Sequence, residues 1–544
     1  AGRELGRLDS LSGILSPGLI VSFALLGLFP IAVKKIMGRY RNRYRKDDGS
    51  HADPLVGENN TGISANARGG RMKYDYHIVI IGAGSAGLVV ASGGASMGAR
   101  VALIEEERMG GDCLNTGCVP SKSFLRSAHL AAQIRESGRF GLSARVERVD
   151  ASRVMKRVHD VIREIAPHDS VERFTSLGVD VMAGRARLLD RHTVSLGDRT
   201  LTGKFIVIAT GSRPAVPPIP GLADVPFLTN RNIFDIRRLP KKLIVLGGGP
   251  MGLELGQGFR HLGSEVAIID MAPRLFPNDD AEVAPLMEAV LRGEGIGLEL
   301  SATIKEVKKS GKGITVIIEK DGATLGINGS HLLVSLGRRP VTADMGLEET
   351  DIRLDAKGYI GVNRFLQTSV ENIYACGDVV GPYQFTHMAG YQAGVVLRNI
   401  ILPLYKSAVD YSAVPWTTYT RPEVAHVGHT ESGARASGIL TDTIKVELRE
   451  NDRARTEGES EGFLKLVLGK KGRVIGATMV GNRAGEIIPL ASMAIRGGMK
   501  STAFLGQIFS YPTQAEIFKS ASLASARKSF KPWMKSIVKA VLLR

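Results

Sequence analysis

Twice in this chain a short apolar run breaks into a turn with glycine at its first, third and sixth positions and then continues as a helix. The first instance runs from His77 to Glu107, HIVIIGAGSAGLVVASGGASMGARVALIEEE, with Gly82, Gly84 and Gly87 at the turn. The second, KLIVLGGGPMGLELGQGFRHLGSEVAIID, carries Gly247, Gly249 and Gly252. A lone glycine pattern is weak. Here each is followed by a second apolar strand ending in an acid, Glu105 in one case and Asp270 in the other. That setting is the dinucleotide fingerprint: the glycines let a pyrophosphate approach a helix N-terminus, and the acid accepts from ribose hydroxyls. The chain is therefore α/β, with either two nucleotide ligands or one duplicated module. Asp270 suits a 2′-hydroxyl and repels a 2′-phosphate, so the second site is expected to prefer NAD(H) over NADP(H), although Arg274 lies four residues on.

Directly after the first fingerprint comes Gly110–Lys122, GGDCLNTGCVPSK, which holds two of only three cysteines among 544 residues. So few thiols exclude a disulfide-stapled secreted scaffold. The spacing of Cys113 and Cys118 is too wide for a thioredoxin-like pair, and a zinc site would need a second pair. A redox pair that opens and closes during turnover remains. Cys376, in the run NIYACGDVVG, reads as a small core residue. The ATG turn at Ala209, Thr210 and Gly211, the LGRRP turn at Gly337, and Asp378 at a strand end before a helix mark further places where backbone or carboxylate meets an extended ligand.

The net charge of +17 suggests nucleic acid until its distribution is considered. Residues 1–46 hold nine Lys/Arg against two acids, and residues 520–544 hold six against none, so most of the excess sits at the ends. The body is nearly balanced and shows no DNA- or RNA-binding signature, so no nucleic-acid partner is expected. Residues 11–33 are uncharged, long enough for a bilayer that needs roughly 20 residues, and are followed at once by seven basic residues between Lys34 and Lys46. A transmembrane anchor is expected there, with the rest of the chain on the cytoplasmic side. The last stretch, FKPWMKSIVKAVLLR, sets Lys531, Lys535 and Lys539 opposite Trp533, Ile537 and Val541, the pattern of an amphipathic helix at an anionic surface.

These motifs, together with a terminal Tyr511-Pro512-Thr513-x-x-Glu516, resemble the pyridine nucleotide–disulfide oxidoreductases in family order across residues 74–529. That family includes glutathione reductase, dihydrolipoamide dehydrogenase and mercuric reductase. The resemblance implies two Rossmann-like FAD- and NAD(P)-binding domains and a C-terminal α+β domain that forms a homodimer. The expected organisation is an anchor at 1–46, a linker at 47–73 and an FAD-binding domain at 74–228 and 341–405. An NAD-binding domain at 229–340, a dimerisation domain at 406–529 and a basic tail at 530–544 complete it. It further implies that Gly82, Gly84, Gly87, Glu105 and Asp378 hold FAD, and that Gly247, Gly249, Gly252 and Asp270 hold the nicotinamide nucleotide. Cys118 would lie nearest the flavin with Cys113 meeting substrate, and Lys122 with Glu254 would form the ion pair beside the ring.

Two departures from the family pattern bear on the acceptor. The disulfide reductases carry His where Tyr511 stands, and a phenol with a pKa near 10 is a poor proton shuttle at neutral pH. Mercuric reductase carries Tyr there together with a C-terminal cysteine pair and an N-terminal CxxC, whereas the cysteines of this sequence are Cys113, Cys118 and Cys376. Pro250 replaces the aromatic gate that glutathione reductase sets over its nicotinamide pocket. The expectation is an NADH-dependent flavoenzyme reducing a thiophilic acceptor, with a metal ion favoured. A lipoamide- or glutathione-type reductase and a membrane-linked thiol sensor are the alternatives.

Overall fold

The computed structural model describes residues 73–530 and 532–543. The expected membrane span at 11–33 and nearly all of the expected linker lie outside them. Among the described residues no helix is long and apolar enough to cross a membrane.

The apolar run before the first glycine turn forms β1 (Tyr76–Ile81), whose last four residues are buried. It pairs in parallel with β2 (Val101–Glu105) on one side, Ile80 opposite Leu103, and with the strand Arg199–Ile208 on the other, Ile80 opposite Val207. Strands covered on both faces read as continuous apolar runs, and that is why neither β1 nor β2 alternates. Strand Val179–Ala183 extends the sheet beyond β2, and Ile373–Ala375 joins Arg199–Ile208 in parallel. Residues nearly 300 positions apart in sequence thus close one layer, and Asp378 is brought back to the first turn.

Helix α1 (Ser85–Ser96) crosses between β1 and β2. Its Gly93 packs so tightly on Leu397 that an added Cβ would fall 2.3 Å from Leu397 Cδ2. Helix α2 (Cys118–Arg135) starts at the second cysteine of the motif. The second module repeats the pattern in parallel strands, with β3 (Lys242–Leu246) between β4 (Glu265–Ile269) and His331–Val334. Helix α3 (Pro250–Leu262) follows β3. Proline at its first position and Gly263 just past its end, at φ +110°, give it the chemistry of a sharp start and stop. Helices α2 and α3 share a core in which the Phe124 and Phe259 rings lie 4.7 Å apart. Each fully buried large side chain there contributes roughly 1.5–3 kcal/mol.

Residues 415–481 form a five-stranded antiparallel sheet covered by the helix Ile517–Ser529. Lys465, 3% exposed, reaches from this sheet to Glu282 at 2.7 Å, Glu431 at 2.6 Å and Asp280 at 3.3 Å. A buried ammonium is tolerated when it is multiply paired, and here the pairing fastens the second module to the third domain. Helix α4 (Thr386–Ile401) runs from the cysteine site into the first module's core. Cys376 lies fully buried there, and burial pushes its thiol up to about 12, in keeping with a core residue.

Candidate functional site

Both glycine turns open toward one cavity of about 1100 Å³, lined also by Cys113, Cys118, Lys122, Glu254, Asp378, Ala209, Thr210, Gly211 and Gly337. The first turn fits a nucleotide by its own geometry. Gly82 sits at φ +104°, where an added Cβ would meet the Ala209 carbonyl at 2.4 Å. Gly87 packs on the Gly82 carbonyl, and a Cβ there would fall 1.8 Å from that oxygen. The Glu105 carboxylate folds over the turn and accepts from the Ala83 N–H at 2.6 Å and the Glu107 N–H at 2.8 Å. The second turn repeats each feature. Gly247 lies at φ +103° against the Ser335 carbonyl, and Gly252 packs on the Gly247 carbonyl. Asp270 accepts from the Gly248 N–H at 2.6 Å. Arg274 does not turn toward that acid; its guanidinium donates to the Pro277 carbonyl at 2.9 Å.

Cys118 opens α2, so its sulfur lies at the positive end of a helix dipole. The thiol is pulled down to about 6, first by the hydrogen bond from Cys113 and then by the Thr386 hydroxyl and the Lys122 ammonium, against the opposing effect of burial. Cys113 moves the opposite way, raised by the Cys118 contact and by burial. Thr386 Oγ1, at the first turn of α4, stands 3.3 Å from Cys118 Sγ.

One helical turn beyond Cys118, Lys122 Nζ meets Glu254 Oε2 at 2.8 Å. Burial alone would lower the ammonium, but Glu254 outweighs it and holds Lys122 above its ordinary range. The other Glu254 oxygen accepts from the Tyr419 N–H at 3.0 Å, and the Tyr419 ring lies 4.4 Å beneath Lys122 Nζ. All three domains thus contribute to one ion pair: α2, α3 and the strand before Tyr419. Asp378, its carboxyl raised by burial, accepts from Ser212 Oγ at 2.6 Å. Arg338 donates to Ser212 Oγ at 2.7 Å and pairs with Asp112 at 2.7 Å, which ties the cysteine segment to the strand end at Asp378.

Tyr511 and Glu516 do not join this group within one chain. Tyr511 is 73% exposed, and its hydroxyl donates to Asp452 Oδ2 at 3.3 Å. Glu516 caps its own turn, accepting from the Thr513 N–H at 3.3 Å. Sequence reasoning missed Thr386, Tyr419, Ser212, Arg338 and Asp112. Thr386 lies eight residues past Asp378, at the start of the helix expected after that acid, and nothing in a lone threonine marks it as a partner of a thiol. Tyr419 acts on Glu254 through backbone N–H, which no residue type signals. Arg338 directly follows Gly337 and could have been found from the need to neutralise Asp112.

A family model described as pyridine nucleotide-disulphide oxidoreductase matches residues 76–393, and the dimerisation domain of that family matches residues 414–522. A mercuric reductase of Staphylococcus aureus is 33% identical over 479 residues, covering 88% of this chain and 87% of its own. A dihydrolipoyl dehydrogenase of Geobacillus stearothermophilus is also 33% identical, over 82% of this chain and 95% of its own. Among solved structures, the HOCl-induced flavoprotein disulfide reductase RclA of Escherichia coli superposes with a TM-score of 0.74 at 29% identity, covering 82% of this chain and 99% of that one. A Cu(II) complex of RclA superposes with the same TM-score at 28% identity and the same coverage.

Proposed function

As a member of the pyridine nucleotide-disulphide oxidoreductase family, the chain is an FAD-containing oxidoreductase, and we propose that it passes electrons from NADH to a thiophilic acceptor through Cys113 and Cys118. The carrying observation is the placement of the pair: Cys118 at the head of α2, with the Lys122 ammonium one turn on and Thr386 Oγ1 at 3.3 Å, and Cys113 beside it, both lining the cavity that both nucleotide turns enter. The first turn with Glu105 and Asp378 would hold FAD, and the second with Asp270 would hold the nicotinamide nucleotide. FAD supplies the coupling between two-electron hydride donation and the thiol pair.

The chain's own residues do the rest. Opening the Cys113–Cys118 bond takes up two electrons and one proton, leaving Cys113 as thiol and Cys118 as thiolate. Lys122 stabilises that thiolate, and Glu254 with Tyr419 keeps Lys122 in place. Cys113, freed from Cys118, is the sulfur that meets the acceptor. A soft divalent ion binding both sulfurs displaces the Cys113 proton. It then takes the electron pair as the disulfide reforms; copper(II) ions would take one electron each. Tyr511 favours a metal ion over a disulfide, because a metal brings no leaving thiolate to protonate. The Cu(II) complex of RclA supports this class of acceptor. The orientation of Arg274 away from Asp270 supports NADH over NADPH. The family's dimerisation domain supports a homodimer, in which Tyr511 from the partner copy would approach the thiols.

Rapid mixing of NADH-reduced protein with Hg(II) or Cu(II), with NADPH in parallel, tests the reading. Accelerated NADH oxidation that is lost in Cys118→Ala is expected. No acceleration with either metal, alongside ordinary turnover of lipoamide or oxidised glutathione, would establish the disulfide-reductase alternative, which the equal identity to a dihydrolipoyl dehydrogenase favours. We also infer from sequence that residues 11–33 anchor the flavoprotein at the cytoplasmic face of a membrane. Release of the protein from membranes by alkaline carbonate would overturn that.

A further inference from the structure

We propose that the C-terminal helix Pro532–Leu542 is a docking element for an anionic lipid bilayer, independent of the redox site and of residues 11–33. The helix has no buried residue. Trp533, Ile537 and Val541 are 56%, 54% and 68% exposed, and Leu542 and Leu543 more so. At 3.6 residues per turn, Ala540, Trp533, Ile537, Val541, Met534, Val538 and Leu542 fill an arc of about 200°, and Lys535, Lys539 and Ser536 occupy the remainder. Eleven residues make a helix of about 16 Å, too short to span a hydrocarbon core of roughly 30 Å. It is long enough to lie in the interface with its apolar face down.

Charge selects the occupant. No Asp or Glu follows Glu516, whereas Lys519, Arg527, Lys528, Lys531, Lys535, Lys539 and Arg544 do. Lys528 is engaged by Asp442 at 3.0 Å, while Lys535 and Lys539 have no ion pair among the described residues. A second copy of the helix packed apolar arc on apolar arc would leave these cations on the outer faces with no counter-charge. An apolar surface bearing negative charge satisfies both faces at once: Trp533 at the headgroup level, and the lysine stems running along the apolar arc with their ammoniums at phosphate.

Trp533 reports on this directly, because the only other tryptophan is Trp416. The test uses the full chain carrying Trp416→Phe, mixed with vesicles of phosphatidylcholine containing about one-third phosphatidylglycerol or none. Expected are a blue shift of Trp533 emission and quenching by brominated acyl chains on the anionic vesicles only. Lys535→Gln with Lys539→Gln should weaken that binding roughly 10–30-fold, at about fivefold per charge, and leave NADH oxidation unchanged. Ile537→Glu should abolish the shift. Because the readout is Trp533 itself, attachment through residues 11–33 leaves it silent. Unchanged Trp533 emission on anionic vesicles, an equal shift on neutral ones, or indifference to the lysine pair each overturns the proposal. Unchanged emission is also the outcome if the helix serves an acidic groove of another protein or a second copy.

Discussion

The two glycine turns are nearly the same object placed in different company. Each has its first glycine at φ 103–104°, its third glycine packed on the carbonyl of the first, and a carboxylate at 2.6 Å from a turn N–H. The first turn is roofed. Gly111, from the cysteine segment, lies so close that an added Cβ would fall 2.8 Å from Gly84 Cα. The corresponding Gly249 in the second turn faces open space. A motif therefore sets what kind of ligand can be held, and its neighbours set whether the ligand stays. A roofed turn beside a thiol pair suits a resident cofactor, and an open one suits a nucleotide that exchanges every cycle.

The largest expected effect comes from adding one methyl group to each turn. Gly87→Ala places Cβ 1.8 Å from the Gly82 oxygen, and Gly252→Ala places it 2.0 Å from the Gly247 oxygen. Overpacking of this kind costs about 1–3 kcal/mol. In the first turn it should yield protein purified without flavin. In the second, flavin should be retained, with NADH-driven reduction slowed about 100-fold or more. Flavin absorbance per protein and single-turnover reduction measure the two. Loss of flavin from Gly252→Ala as well would show that the turns are not functionally separate.

Next in size is the thiol pair carried by the roofing segment. Absorbance of the thiolate in the reduced protein should titrate with a midpoint near 6 for Cys118. Lys122→Met should move that midpoint upward and slow turnover at least 10-fold, by removing a cation from beside the sulfur. The sign for stability follows from linkage. A thiol with an ordinary value near 9 that is lowered in the folded state contributes stability fully present above the unfolded value and lost as pH falls through about 6. Reduced protein should therefore gain stability between pH 6 and 9, and Cys118→Ser should not. Denaturant titrations at those pH values check it.

What the sequence made legible follows the same division. The turns, their acids and the cysteine motif are local in the chain, each within about 30 residues, and short-range pattern suffices to find them. The roof is not local in its effect. Nothing in GGDC says that Gly111 will lie on Gly84 rather than beside Gly249. Thr386, Tyr419 and Arg338 come to the site from strands and helices hundreds of residues away, one of them through backbone N–H. Sequence also grouped Tyr511 and Glu516 with the thiols by family order, whereas within one chain Tyr511 is exposed and Glu516 caps its own turn.

The open turn yields a smaller effect. Asp270→Ala removes the acceptor that a ribose 2′-hydroxyl would use and the charge that a 2′-phosphate would oppose. kcat/KM for NADH should fall about 10-fold, and that for NADPH should rise, which narrows the preference without touching the flavin. An equal fall for both nucleotides would mean that Asp270 serves only to hold the Gly248 N–H.

The smallest expected effect belongs to the residue that neither turn holds. Tyr511 is exposed, and the Asp452 carboxylate beside it raises its phenol above the ordinary range near 10. A donor so weak gives little general-acid help at neutral pH, where efficiency is greatest for groups with pKa near the working pH. With a metal ion as acceptor no departing thiolate needs a proton, so Tyr511→Phe should change kcat by less than about twofold and leave its pH profile flat between 6 and 8. Tyr511→His is the sharper variant. It restores a group that titrates near 6.5, and if the fold is otherwise that of a disulfide reductase, turnover with lipoamide or oxidised glutathione should rise while metal reduction stays unchanged. A drop of more than 10-fold in Tyr511→Phe with Hg(II) or Cu(II) would place the phenol in contact with the acceptor and end the argument that the thiol pair works without a proton donor from the partner copy.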